Sequence, residues 1–162
     1  MHIADRVVLM RDGKLMRVGD SREIYEEPRT RYVAGMLGSV NEFRGRVVDV
    51  RPSGAVVESS LGLVLARPAP GAVPEKGRAA WIGLRPETIT IDAGAQGGAA
   101  AENRWPGTVI RSTFLGTHMD HLVQVGDVIV EIWSRGVHAY PEGAAVSLSC
   151  ESALLFDDEG GE

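Results

Sequence analysis

Gly45-Arg46-Val47-Val48-Asp49-Val50, Ala55-Val56-Val57-Glu58 and Leu63-Val64-Leu65 follow one another with only short Ser- and Gly-containing breaks between them. Runs this short, rich in Val and set between turn residues, predict strands of a small barrel or sandwich. The same texture continues outward in both directions along the chain. Trp81-Ile82-Gly83-Leu84 and Ile89-Thr90-Ile91 extend it. Beyond a Gly/Ala-rich stretch from Asp92 to Arg104, read as an exposed connection, it resumes at Gly107-Thr108-Val109-Ile110. It then runs through 121–125, 128–133, 146–148 and 154–156. The acidic tail from Asp157 is expected to fray.

Two β segments echo each other. Gly45-Arg46-Val47-Val48 matches Gly107-Thr108-Val109-Ile110, and Pro74-Glu75-Lys76-Gly77 matches Tyr140-Pro141-Glu142-Gly143. Leu84-Arg85-Pro86-Glu87 then corresponds to Leu148-Ser149-Cys150-Glu151. One folding unit written twice accounts for the near-constant offset; a chance likeness of short Gly-Val strands accounts for it too.

The first forty residues read differently. Arg11-Asp12-Gly13-Lys14 separates two apolar runs, and Asp-Gly in that setting predicts a hairpin, since the tight turn needs positive φ. Asp20, three residues before Glu23, suits a helix N-cap with a reciprocal acidic partner. That helix is short because Pro28 stops it. Thr30 can cap a second helix, through Tyr32, Val33, Met36 and Leu37, that ends at Gly38.

Composition narrows the function. A charge of −5, with 22 acidic residues outnumbering 17 scattered Lys and Arg, argues against a phosphate-neutralising nucleic-acid binder. Trp81, Trp105 and Trp133 are therefore read as core or interface rather than as base-stacking platforms. No apolar run approaches the ~20 residues of a membrane-spanning helix, and the start lacks the pattern of a secretion signal. The single Cys150 has no internal disulfide partner, which fits a reducing cytoplasm. It has no flanking base to activate it and is expected to be a small buried residue. His118 and His121 belong to opposite faces of a strand and do not make a metal site by themselves. No Gly-x-Ser-x-Gly elbow marks a hydrolase.

Ala4-Asp5-Arg6-Val7-Val8-Leu9-Met10, with Gly13-Lys14 and Gly19, resembles the last strands of an ABC-transporter ATPase domain. Glu23-Ile24-Tyr25 with Pro28, then Tyr32-Val33-Ala34 with Gly38, resembles the segment after it in importers of the polyamine, ferric-iron and sugar type. Asn41 is similar to the asparagine at which the accessory domain begins. Leu84-Arg85-Pro86-Glu87 and Thr113-Phe114-Leu115-Gly116 look like recurring motifs of the transport-associated OB (TOBE) region. The resemblance implies a mainly β fold: OB-like barrel or barrels from two related β segments, after a hairpin and two short helices left from an α/β ATPase domain. Residues 1–40 would be the remnant of the nucleotide-binding domain. Residues 41–92 and 105–158 would be the two TOBE segments, 93–104 their linker and 159–162 the tail.

The chemistry of the ATPase is absent from this stretch. Gly13-Lys14 is followed by Leu15 in a hairpin, not by Ser or Thr in a phosphate-cradling loop. No apolar run followed by Asp-Glu is present to hold magnesium, and the family's switch histidine falls upstream of Met1, so His2 is not that residue. The expectation is a fragment that is not an enzyme and holds no cofactor, with ATP and magnesium belonging to the full-length parent. Its expected role is regulation and homodimer formation in a cytoplasmic importer subunit, peripheral to the inner membrane, whose permease partners are reached through the ATPase domain. Rival readings are a small-oxyanion or metabolite-sensing barrel and an oligonucleotide-binding OB protein. Arg85, Glu87 and Trp133 are the candidate ligand or interface residues, Arg85 being placed either to meet an anion or to pair with Glu87 or a backbone carbonyl. Val8, Met10, Met16 and Val18 would have neighbours in a larger sheet. Here the hairpin is expected to be disordered, to pack onto the barrel or to bury itself in a second copy.

Overall fold

The structure is a computed structural model and describes residues 6–94 and 102–158. The tail 159–162 and most of the expected connection between the β segments lie outside the described residues. Strand β7 runs on to Ala93 and β8 starts at Arg104.

Strands β1 (Val7–Arg11) and β2 (Lys14–Gly19) form the expected hairpin. Arg11 faces Lys14 across a two-residue turn in which Asp12 and Gly13 both have positive φ, 50° and 75°. A type I′ turn demands this geometry, and Asp-Gly supplies it cheaply. Helix α1 (Ser21–Glu26) is capped by Asp20, whose Oδ1 accepts from the amides of Arg22 and Glu23. The reciprocal half of the capping box does not form. Glu23 instead accepts a 2.9 Å bond from the largely buried Arg17 of β2, because a buried guanidinium needs a partner more than an exposed amide does. Helix α2 (Arg31–Met36) is capped by Thr30. Leu9, Ile24 and Val33 form a small core beneath hairpin and helices. Val8, Met10, Leu15, Met16 and Val18 remain exposed on the hairpin, 37–63% accessible.

The rest is β. Strands β3 (Asn41–Arg51), β4 (Gly54–Ser59), β5 (Gly62–Pro68) and β6 (Ala79–Leu84) build one half. A single 3-10 turn, Pro86–Thr88, leads into β7 (Ile89–Ala93). The second half contains β8 (Arg104–Phe114), β9 (Met119–Val125), β10 (Val128–Ser134), β11 (Ala145–Cys150) and β12 (Leu154–Asp157).

The two halves exchange their last strands. β12 inserts between β5 and β6 and closes a five-stranded barrel in the order β12-β5-β4-β3-β6, while β7 leaves the first half to pair with β11 in the sheet β10-β9-β8-β11-β7. Neither half is complete without a strand from the other, and one continuous core runs through both.

The internal repeat holds at the level of single atoms. β3 and β8 each carry a bulge, at Val47/Asp49 and Val109/Arg111. At each bulge a valine amide bonds the opposing loop: Val47 to Arg78 O and Val109 to Ala144 O, both at 2.9 Å. The Gly77 and Gly143 amides return the bond to the same two valines. Gly45 and Gly107 sit two residues before these bulges, where a Cβ would lie 2.4 Å from Glu58 O and 2.5 Å from Val123 Cγ1 respectively.

The halves differ at one seam. In the first barrel the β5–β12 side is sealed by backbone bonds, among them Ala69 N to Leu155 O at 2.8 Å. At the matching place in the second sheet, Ile91 O of β7 accepts from the Tyr140 hydroxyl at 3.0 Å instead. A phenol plugs the gap that a strand ladder closes in the other half, and only the first sheet forms a ladder-closed barrel.

Candidate functional site

The three candidate residues fall into one polar chain where the N-terminal helices meet both sheets. Tyr25 projects from the middle of α1. The Arg85 guanidinium lies 4.1 Å from its ring centroid, and its hydroxyl donates to Glu87. Burial, reinforced by that bond to Glu87, pushes the Tyr25 phenol up to about 12, so it stays a donor at any physiological pH. Arg85 Nη1 donates to Ser39 O at 3.4 Å in the segment linking α2 to β3, while its buried Nη2 has no partner among the described residues. Arg85 therefore meets a carbonyl and an aromatic face, rather than Glu87.

Ser39 carries the chain onward. Its hydroxyl donates to Glu131 Oε2 at 2.8 Å, and Trp133 Nε1 donates to Glu131 Oε1 at 2.9 Å. His118 packs on Trp133 at 4.8 Å between ring centroids. Arg85, Glu87 and Trp133 are thus joined through Tyr25, Ser39 and Glu131. The sequence nominated none of these three intermediates, because no local pattern marks residues that meet across 46 to 92 positions.

Asn41 locks the joint. β10 is an edge strand whose outward amides lack a ladder partner. The Asn41 side chain accepts from Glu131 N and donates to Glu131 O, each at 2.8 Å, imitating one rung of a neighbouring strand. Asn103 does the same for the other half. Its side chain accepts from Leu65 N at 2.8 Å and donates to Leu65 O at 3.0 Å on β5. Asn103 was missed in the sequence because it falls in a stretch read as a linker. The signal that finds it is the 62-residue offset that carries Gly45 to Gly107 and equally carries Asn41 to Asn103. Each half reaches across with one asparagine to bond both backbone groups of one residue in its twin.

A second polar cluster lies inside the second sheet. His121 is fully buried, with Nδ1 2.8 Å from Ser112 Oγ and Nε2 2.7 Å from Ser134 Oγ. Ser112 Oγ donates to Tyr140 O at 3.0 Å, so Nδ1 supplies the hydrogen to Ser112 and Nε2 accepts from Ser134. The neutral ring is satisfied on both sides, and burial pushes it below its usual range. His118 bonds Thr117 instead, so the two imidazoles serve different partners. Among the described residues no group of three or more His, Cys, Asp or Glu is arranged around a metal. Cys150 is buried, its thiol pushed up by burial and donating to Ser152 O at 3.1 Å.

His121 gives stability a pH dependence with a definite sign. The unfolded chain takes up a proton near pH 6.5 and the folded chain only below that. The contribution is fully present above about pH 6.5 and is lost as pH falls through the lower folded value. The urea midpoint of the wild type is expected to decline between pH 7 and pH 5 more steeply than that of His121→Gln. Parallel pH profiles for the two proteins would contradict this.

These features define a class: an OB-like β protein of two interlocked halves with a hairpin–helix segment fastened across them. Residues 82–156 match the family model described as the TOBE domain. It is similar to the spermidine/putrescine import ATP-binding protein PotA of Trichormus variabilis, with 31% identity over 127 residues, covering 77% of this chain and 32% of that protein. It is similar also to the Fe(3+) ions import ATP-binding protein FbpC of Rhizobium etli, with 31% identity over 122 residues, 75% of this chain and 32% of that protein. The chain thus spans about a third of the length of the curated relatives it matches. In fold it is like the cytoplasmic molybdate-binding protein ModG, with a TM-score of 0.53 and 15% identity over 72% of this chain and 95% of ModG. No helix among the described residues is long and apolar enough to cross a membrane.

Proposed function

We propose that this chain is the regulatory portion of the ATP-binding subunit of an ABC importer, of polyamine, ferric-iron or sugar type, and that it performs no catalysis itself. The observation that carries the reading is the joint. Tyr25, Arg85, Ser39 and Glu131 fasten the helices that resemble the end of an ATPase domain to the edge of the second sheet. In the parent subunit, a shift of α1 during nucleotide-driven closure would reach β10 through these bonds. The apolar hairpin face formed by Val8, Met10, Leu15, Met16 and Val18 is where the remainder of an ATPase sheet would lie. The permease subunits would be met through the ATPase portion of such a parent, on the cytoplasmic side of the membrane, and the barrels would steady a homodimer.

Two measurements test this together. The purified chain with magnesium and ATP is expected to release no phosphate above buffer. A chimera in which it replaces the matching region of PotA is expected to support ATP-dependent uptake, and Arg85→Ala in that chimera to raise the ATP consumed per solute moved. Hydrolysis by the chain alone, or a folded chimera whose coupling ignores Arg85, would overturn the reading. A second reading, an oxyanion-sensing barrel, draws support from the likeness of fold to ModG. Saturable binding of molybdate by the purified chain would favour it.

A further inference from the structure

The bulged ladders set Val50 opposite Ala55 in the first half and Ser112 opposite His121 in the second, at the same step after the bulge. An apolar pair therefore satisfies the fold at this position, and the buried imidazole is peculiar to the second half. The same half carries the other departure from the repeat, the Tyr140 hydroxyl that bonds Ile91 O where its twin has backbone bonds. Tyr140 answers to Pro74 in the repeat, a residue with no hydroxyl to offer.

The two departures touch. Ser112 Oγ accepts from His121 Nδ1 at 2.8 Å and gives its own hydrogen to Tyr140 O at 3.0 Å. The Tyr140 ring meets the His121 ring edge-on, 5.5 Å between centroids and 70° between planes. On the other side Nε2 takes a hydrogen from Ser134 Oγ at 2.7 Å. This arrangement is complete only for the neutral ring. A second ring proton would sit on Nε2, where Ser134 already points its hydrogen, and would put a cation in a fully buried place. The charges nearby do not offset that cost. Asp120 of β9 favours the cation, but it points to the opposite face of the sheet, with Arg111 of β8 at 3.6 Å. The exposed His138, edge-on to Tyr140 at 4.8 Å, brings a like charge in acid. Glu131 of β10 accepts from Ser39 and Trp133, and Asp92 of β7 acts on Tyr140, whose phenol it helps to keep protonated. Water is the remaining way to solvate the charge, and Tyr140 is the side chain that touches both the ring and the seam.

We propose that His121 is an acid-operated latch: its protonation releases Tyr140 from Ile91 and opens the seam of the second sheet, while the ladders of the exchanged strands β7 and β12 stay closed. Local openings of this kind need far less than global unfolding. The open state exposes the ring, which then takes up a proton near pH 6.5, whereas the closed state does so only below that. The closed seam is therefore favoured above about pH 6.5 and loses ground as pH falls. The latch does not rest on the importer reading above. It borders the joint all the same, because Ser134 lies on β10, the strand that Ser39 and Asn41 hold at Glu131.

Amide hydrogen exchange on the full chain, corrected for the intrinsic effect of pH, tests this with an internal control. Gly143 N, three residues after Tyr140, bonds Val109 O, and Gly77 N bonds Val47 O at the twin position. Between pH 7 and pH 5.5 protection at Gly143 is expected to fall by up to about tenfold, the linkage limit for one proton over one pH unit below 6.5, while Gly77 holds. His121→Gln should abolish the fall, and His138→Gln should keep it. Tyr140→Phe retains the ring but not the hydroxyl, and should lower protection at Gly143 already at pH 7. Should His121→Gln not fold, the paired glycines of the wild type and the other two variants decide the matter. Equal losses at Gly143 and Gly77, a Gly143 indifferent to pH, or a fall that disappears in His138→Gln would overturn the proposal.

Discussion

Asn103→Gly is expected to destabilise the fold by about 2–3 kcal/mol, although it removes only a surface-linked amide. The side chain gives Leu65 N and O their only rung on that edge, and leaving a partly buried donor and acceptor unpaired costs about 1–3 kcal/mol each before solvent relief. Glycine is the informative substitution because Asn103 has φ of 59°. An alanine would add backbone strain to the lost bonds, whereas glycine keeps the backbone at ease and isolates the amide. Asn41→Gly probes the twin contact at Glu131 and should lower the urea midpoint comparably. It should also loosen the joint, read as loss of protection from hydrogen exchange at Ser39 and Glu131. An Asn103→Gly protein with the wild-type midpoint would show that the reciprocal amide does not hold the halves together.

The second large effect concerns the crossing glycines. Gly45→Ala is expected to cost about 3 kcal/mol, the upper range for forcing a methyl into a packed interior. The new Cβ would sit 2.4 Å from Glu58 O and 2.6 Å from Val57 Cγ1, and a carbonyl inside a strand ladder cannot turn aside. Gly107→Ala should cost less. The backbone stands further off there, with Gln124 O 3.0 Å away, so the obstacle is the side chain of the buried Val123, whose Cγ1 lies at 2.5 Å. Gly35→Ala is the control: nothing lies within 4 Å of its Cβ in α2, and replacing a helical glycine should stabilise by about 0.5–1 kcal/mol. The order Gly45, then Gly107, then Gly35 in thermal midpoints checks the argument. Equal losses at Gly45 and Gly35 would leave only a generic glycine effect.

The two predictions bear on one architectural fact. Because β7 and β12 change places, each half is completed by its twin, and a defect on either side should melt both. The importer reading benefits from that arrangement. A shift delivered to β10 through Glu131 enters a body with one continuous core, so it need not pass through a flexible hinge.

What the sequence determined by itself is whatever neighbouring residues decide between themselves. The Asp12-Gly13 turn, the Asp20 and Thr30 caps, the stop before Pro28 and nearly every strand were legible, because turn chemistry, capping and β-branched runs act over a few positions. The repeat was legible too, through Gly45 and Gly107, as was the buried state of Cys150. Tertiary structure alone decided that Glu23 would serve Arg17 rather than its own cap. It also decided that Tyr140 would plug the seam of the second sheet, and that Arg85, Glu87 and Trp133 would be strung together by Tyr25, Ser39 and Glu131. The physical reason is that a strand edge left open can be satisfied by any group the fold brings within about 3 Å. Which group arrives depends on the exchange of β7 and β12, and two halves with the same local preferences could have paired each strand at home.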